Sequence, residues 1–232
     1  MSRHLRLDII VPSSNTALKP LRQAIINSIN TQLGHHITVH FSRFAVTTIS
    51  LTPYALGHFE VPHILATAEL LAHAQVDVIG WSGTAAGWTG IKATTSVLAL
   101  NKLLEIWRVK RLGLVTPYVD DVQAAIVKNY KAIGVEIGEG MERHLSVQKN
   151  NDIAAIGEDL LDGLVKEVVI ANVDAVATFC TNLNAAQRVQ VWEKKHVIPV
   201  FDTITTVLWD MLRQCSVDMS ELEGWGLTFK KS

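Results

Sequence analysis

The sequence predicts an α/β fold built from two similar, doubly wound halves, each around its own parallel sheet. Two observations point there. Short apolar, β-branched runs alternate with longer amphipathic segments, and the pattern of the first part of the chain returns in the second. The runs cover residues 7–11, 37–41, 76–81, 112–116, 173–179, 197–201 and 227–229. Their apolar character is continuous rather than alternating, as in strands buried on both faces of a parallel sheet. Between them, residues 17–30 place Leu18, Leu21, Ile25, Ile26 and Ile29 on one helical face. Residues 61–74, 96–107, 122–133, 153–169, 185–195 and 203–214 behave in the same way, which is the strand–helix alternation of a doubly wound sheet.

The internal repeat has two parts. Leu7-Asp8-Ile9-Ile10-Val11-Pro12-Ser13 is echoed by Leu112-Gly113-Leu114-Val115-Thr116-Pro117-Tyr118, each a strand ending in a proline turn. Val76-Asp77-Val78-Ile79-Gly80-Trp81-Ser82-Gly83-Thr84 is echoed by Val173-Asp174-Ala175-Val176-Ala177-Thr178-Phe179-Cys180-Thr181, which superposes Gly83 on Cys180. Two matches in the same order favour duplication: flavodoxin-like halves related by a pseudo-twofold axis, with the active site in the cleft between them. The first half is expected over residues 1–110, with 203–232 returning to it, and the second over 111–202. Ligands of open parallel sheets bind beyond the carboxyl ends of the strands. Two facing halves would therefore bring together the loops 12–16, 83–87, 117–121 and 180–182.

The bulk properties exclude several classes of function. A formal net charge of -1 gives no basic excess for nucleic acid. Two cysteines, Cys180 and Cys215, are too few for a disulfide framework, so a reduced, cytoplasmic setting is expected. Charges interrupt the first eight residues, so no signal-peptide core is read there, and no run approaches the roughly 18 apolar residues of a membrane span. His58 and His63 lack the spacing of a zinc helix, with Pro62 between them. No phosphate loop, dinucleotide fingerprint or nucleophile elbow occurs, and the expectation is no metal and no cofactor.

Each of the four loops carries two readings. Pro12, Ser13, Ser14, Asn15 and Thr16 offer hydroxyls, an amide and free N–H groups where a helix starts, which suits either an anion or a helix cap. Gly83, Thr84 and Ala85 lie in a turn of small residues that lets a ligand approach the backbone or simply turns the chain. Tyr118 follows a strand end, where its phenol can donate to a carboxylate or pack on the surface. Cys180, Thr181 and Asn182 follow a buried strand and precede a helical segment. A thiol at a helix start can have a lowered pKa and transfer protons, whereas most buried cysteines only pack. Cys215, late in its helix, reads as packing.

Together these loops resemble the maleate isomerase and arylmalonate decarboxylase branch of the aspartate/glutamate racemase superfamily. Val11-Pro12-Ser13-Ser14-Asn15-Thr16 is similar to the N-terminal motif of maleate cis–trans isomerases. Thr116-Pro117-Tyr118-Val119-Asp120-Asp121-Val122 resembles the tyrosine motif shared by both groups, and Cys180-Thr181-Asn182-Leu183 resembles the second-cysteine motif of the isomerases. The resemblance implies Asn150 as a substrate-binding asparagine. It also implies substrate contacts from Pro12, Ser14, Asn15, Gly83, Thr84, Ala85, Tyr118, Thr181 and Asn182, a small carboxylic acid as substrate, no cofactor, and a homodimer as one allowed assembly. This chain departs from the isomerases at Gly83, where they carry their first cysteine, and at Lys19, which replaces an acidic residue. Arylmalonate decarboxylases also have glycine at the first position, but have glycines where this chain has Thr181 and Asn182.

A site with one thiol suits chemistry with one proton transfer. The expected function is a cofactor-independent decarboxylase, a carbon–carbon lyase, acting on a small substituted malonate-type acid. Cys180 would protonate the enediolate. Two alternatives stand: a maleate isomerase-like or amino-acid or hydantoin racemase-like isomerase, and a non-catalytic paralogue that binds a carboxylate.

Overall fold

The computed structural model describes residues 4–46, 48–81 and 92–231. The first half comprises β1 (His4–Pro12), α1 (Leu18–Leu33), β2 (His36–Phe44), α2 (Pro53–Gly57), α3 (Val61–Ala72), β3 (Val78–Trp81), β4 (Lys92–Thr95) and α4 (Ser96–Ile106). The second comprises β5 (Leu112–Thr116), α5 (Asp120–Ala132), β6 (Glu142–His144), α6 (Asn150–Ala154), α7 (Glu158–Val169), β7 (Ala175–Thr178), α8 (Val189–His196) and β8 (Val200–Asp202). Helix α9 (Thr203–Gln214) and a 3-10 turn (Leu227–Lys230) follow.

The two sheets are parallel and share one topology, β2-β1-β3-β4 and β6-β5-β7-β8. The repeat extends to register. Leu7 pairs with Val78 in the first sheet, and Leu112 pairs with Ala175 in the second. These are the positions that the sequence repeat equates. The recurring Val-Asp has a physical reason. Asp77 accepts from the Arg6 amide at 2.9 Å, and Asp174 accepts from the Lys110 and Arg111 amides at 2.8 Å. Each carboxylate thus closes the open start of the neighbouring strand. The equivalence continues at the sheet edge, where Thr95 and Asp202 end β4 and β8 and cap the next helix through the amides of Leu98 and Ile204.

A large apolar core runs from Leu5 and Leu7 through Leu112 and Val176 to Phe229, so it is shared by both halves. Helix α9 leaves the second sheet and packs on α4, β3 and β4 of the first. Gly80 permits this close approach, because a Cβ there would lie 2.3 Å from Met211 Sδ. Among the described residues no helix is long and apolar enough to cross a membrane.

Four local expectations are corrected. Residues 227–229 form a 3-10 turn instead of a strand. Gly226 turns the chain at φ +83°, and the Glu193 carboxylate accepts the Leu227 amide at 2.9 Å. The helix expected over 153–169 is two helices, and α6 ends so that Gly157 caps α7. The segment 185–195 begins as a 3-10 turn, Ala186–Arg188, before α8. On α1 the buried stripe runs Leu18, Arg22, Ile25, Ile26 and Ile29, with Leu21 only half-buried.

Candidate active site

The loops after β1, β5 and β7 meet where the halves join, and the side chains at that junction are mostly polar. Asn15 is buried in the turn after β1. Its Oδ1 accepts the Leu18 amide at 3.0 Å, and its Nδ2 donates to the Thr181 carbonyl at 2.9 Å and to Thr181 Oγ1 at 3.3 Å. Asn182 answers from the other half. Its Oδ1 accepts the amides of Thr16 at 3.0 Å and Ala17 at 3.2 Å, and its Nδ2 donates to the Asn150 carbonyl at 2.5 Å. The amides of Thr16, Ala17 and Leu18, leading into α1, are therefore filled by the two asparagines. Asn15 and Asn182 thereby fasten the halves together.

Asn150 begins α6 and is buried. Its Nδ2 donates to Ser14 Oγ at 2.7 Å, and Ser14 Oγ donates to the Val46 carbonyl. Asn150 Oδ1 is buried with no partner among the described residues. Pro12 ends β1, and its carbonyl accepts the Asn15 amide at 3.0 Å. Gly83, Thr84 and Ala85 lie outside the described residues.

Cys180 is 4% exposed, and three donors converge on its sulfur, the Tyr118 hydroxyl and the amides of Asn182 and Leu183. The Asn182 amide lies 3.4 Å from Sγ, and the Tyr118 hydroxyl donates to it. Tyr118 is held by its loop, whose Pro117 and Tyr118 carbonyls accept the amides of Val147 and Ser146 at 2.7 and 3.1 Å. Burial pushes the Cys180 thiol up to about 11 against the pull of these three donors, and the nearby Asp202 carboxylate pushes the same way. The lowering that a thiol at a helix start can have is outweighed by burial, and a turn separates Cys180 from the 3-10 turn at Ala186. Burial likewise holds the Tyr118 phenol well above its ordinary range. The result is a protonated thiol, with three donors ready to stabilise the thiolate once its proton has left.

Cys215 sits elsewhere, at the C-terminal cap of α9. No group of three or more His, Cys, Asp or Glu side chains is placed to hold a metal among the described residues. Sequence reasoning missed two buried charged residues, Asp202 beside the thiol and Arg22, whose charge acts on Asp202. For Arg22 the signal was present: it lies four residues after Leu18 and four before Ile26, in the middle of the buried stripe.

A family model for arylmalonate decarboxylase matches residues 61–227. The chain belongs to the arylmalonate decarboxylase family. Maleate isomerase of Nocardia farcinica is 23% identical over 235 residues, which cover 93% of this chain and 92% of that protein. A structure of the Nocardia farcinica maleate cis–trans isomerase, a cysteine-to-serine mutant with a covalently bound succinylcysteine intermediate, superposes with a TM-score of 0.87. It is 22% identical, and the match covers 99% of this chain and 100% of that one. A liganded double mutant of arylmalonate decarboxylase, glycine to cysteine and cysteine to serine, superposes with a TM-score of 0.78 at 17% identity, over 99% of this chain and 100% of that one. This family member is an enzyme of the aspartate/glutamate racemase superfamily, a lyase or an isomerase.

Proposed function

We propose that the protein delivers one proton to a carbanion beside a carboxylate, with Cys180 as the donor, and that the reaction is decarboxylation of a small substituted malonate-type acid. The observation that carries this reading is the single thiol at the junction. The chain has two cysteines, Cys215 caps α9, and position 83 is glycine. Breaking the carbon–carbon bond to one carboxylate releases carbon dioxide and leaves an enediolate on the other. The S–H proton then passes to the α-carbon, and the thiolate is held by the Tyr118 hydroxyl and the Asn182 amide until solvent reprotonates it. A general acid of this kind must be protonated at rest, and burial keeps Cys180 so. The Thr181 hydroxyl, and Thr84 by its place in the sequence, supply the polar contacts for the remaining carboxylate. A well-placed donor to a developing oxyanion contributes about 3–4 kcal/mol.

A second reading, maleate isomerisation, is favoured by the whole-chain likeness to maleate isomerases. In the Nocardia farcinica structure an adduct stands on a cysteine while another cysteine has been changed to serine. Here the sequence offers glycine at 83, so that route would rest on Cys180 alone. A third reading, a carboxylate binder without turnover, is separated by the same experiment. Exhaustively chelated protein is incubated with α-substituted malonates and with maleate, as wild type and as Cys180→Ser. Decarboxylation releases carbon dioxide in step with the monoacid and is lost in Cys180→Ser. Fumarate from maleate without gas supports the isomerase. Binding without any product supports the third reading. Full activity in Cys180→Ser overturns both catalytic readings.

A further inference from the structure

Asp202, behind the thiol, is a charged group that the proton transfer leaves unassigned. It ends β8 in register with Thr178, two residues before Cys180. Its carboxylate is fully buried, accepts Thr178 Oγ1 at 2.7 Å and accepts the Ile204 amide at 2.8 Å. Thr203 Oγ1 donates back to the Thr178 carbonyl at 3.3 Å. The end of β7, the cap of α9 and the turn carrying Cys180 are therefore one bonded unit. From α1 of the first half comes Arg22, also fully buried. Its Nε, Nη1 and Nη2 have no hydrogen-bond partner among the described residues, yet its charge acts on Asp202. An unpaired guanidinium in the interior costs stability, so its presence points to a use for its field rather than to cohesion.

We infer that Asp202 is a positioning residue for the Cys180 thiol: its buried negative charge, balanced by Arg22 across the junction, sets how readily the thiol releases its proton. This rests on the reading of Cys180 as proton donor. The groups around Asp202 are few. Thr178 and Cys180 face it from β7 and the turn beyond, Arg22 from α1, and the Ile204 and Thr205 amides from α9. Glu193 of α8, which packs on β8, is turned instead to the amides of Val200 and Leu227. Asp202 raises the proton affinity of the thiol, which suits a group that must stay protonated until a carbanion appears. Burial moves the Asp202 carboxyl itself up to about 7, against the pull of its hydrogen bonds and of Arg22. Through neutral pH the carboxylate gains charge and holds the thiol proton more firmly.

The test reads thiol acidity without turnover. Native protein is alkylated with iodoacetamide across a range of pH, adducts are mapped by mass spectrometry, and Cys215 in the same digest is the control. Asp202→Asn keeps the shape and an acceptor for the Ile204 amide while removing the charge. It should lower the midpoint of the Cys180 profile by about one unit, which is about tenfold more thiolate between the pH at which Asp202 is ionised and the midpoint, and no change below about pH 6, where Asp202 is already protonated. Arg22→Met removes the balancing charge and should move the midpoint the other way, which supplies a second arm if Asp202→Asn does not fold. Opposite shifts with an unchanged Cys215 profile establish the role. An unmoved midpoint in Asp202→Asn overturns it, as do shifts of the same sign in both variants. A faster rate at every pH with a fixed midpoint also overturns it, since that reports only looser packing. Shifted midpoints in a protein that decarboxylates nothing would sink the proposed reaction and leave this role standing.

Discussion

Replacing Asn182 by alanine should weaken the junction between the halves far more than replacing the nearby Asn184. The side chain is 2% exposed and makes three bonds: from the Thr16 amide at 3.0 Å, from the Ala17 amide at 3.2 Å, and to the Asn150 carbonyl at 2.5 Å. Thr16 is exposed, so its amide recovers a water, whereas the buried Ala17 amide is left orphaned and the Asn150 carbonyl keeps only its bond within α6. At about 1–3 kcal/mol for the buried unsatisfied amide and about 1 kcal/mol for the lost carbonyl bond, the loss is about 2–4 kcal/mol. That is a large part of the roughly 5–15 kcal/mol that holds a typical fold together. Asn184→Ala is the control. It removes one 2.8 Å bond to the Ala154 carbonyl from a half-buried site, and should cost about 1 kcal/mol. Urea unfolding followed by circular dichroism gives both values, provided that the slope is unchanged. In a domain of this size the Asn182 variant should also melt roughly 5–15 °C lower. A loss no greater than that of Asn184→Ala would refute the view that Asn182 fastens the two halves.

Other outcomes follow from the same geometry. Gly83→Cys should add a second proton-transfer group opposite Cys180, because the repeat equates the two positions. Loss of optical purity in a chiral 2-substituted acid should appear in that variant and vanish when Cys180→Ser is added, and a stable variant that binds acid but never exchanges the α-proton counts against the facing loops. Glu193 is held up to about 7, chiefly by burial and against the pull of the Val200 and Leu227 amides. Its folded pKa lies above its unfolded value of 4.5, so the native state binds the extra proton between them and stability falls as pH rises through that window. Glu193→Gln should flatten this slope in urea unfolding compared at about pH 5 and about pH 8, and an unchanged slope would contradict the assignment. Val197 is β-branched, 86% exposed and left-handed at φ +58° where α8 ends, so Val197→Gly should gain about 1 kcal/mol, and a less stable variant would show that the strain is misread.

Much of the architecture was legible because burial on both faces leaves an unmistakable trace. Strand β5 and helix α9 were bounded to the residue, and the Val-Asp repeat marked equivalent strands whose register agrees with it. The edge strand β6 is Glu142-Arg143-His144, half-buried and fully polar, so no apolar run announces it. Strand β4, Lys92-Ala93-Thr94-Thr95, has the same difficulty. The helix break after α6 was hidden because Ile153 and the α7 residues Leu161, Leu164 and Val165 all face the core. At the candidate site, the cysteine, the tyrosine and the asparagines could be picked out singly. What they bond to could not, since Asn15 meets Thr181 across 166 positions of sequence. The acidity of the thiol was misjudged for a similar reason: the helix start was read locally, whereas the burial and the Asp202 field that oppose it are tertiary.

The central claim is that Cys180 alone delivers the proton, from one face of the substrate. It is tested most directly by turnover of a prochiral, disubstituted malonate in deuterium oxide. The monoacid should carry one deuterium at the α-carbon in a single configuration, and Cys180→Ala should form none of it while still binding the acid. A racemic product from the wild-type protein, or the same single enantiomer from Cys180→Ala, would contradict the account.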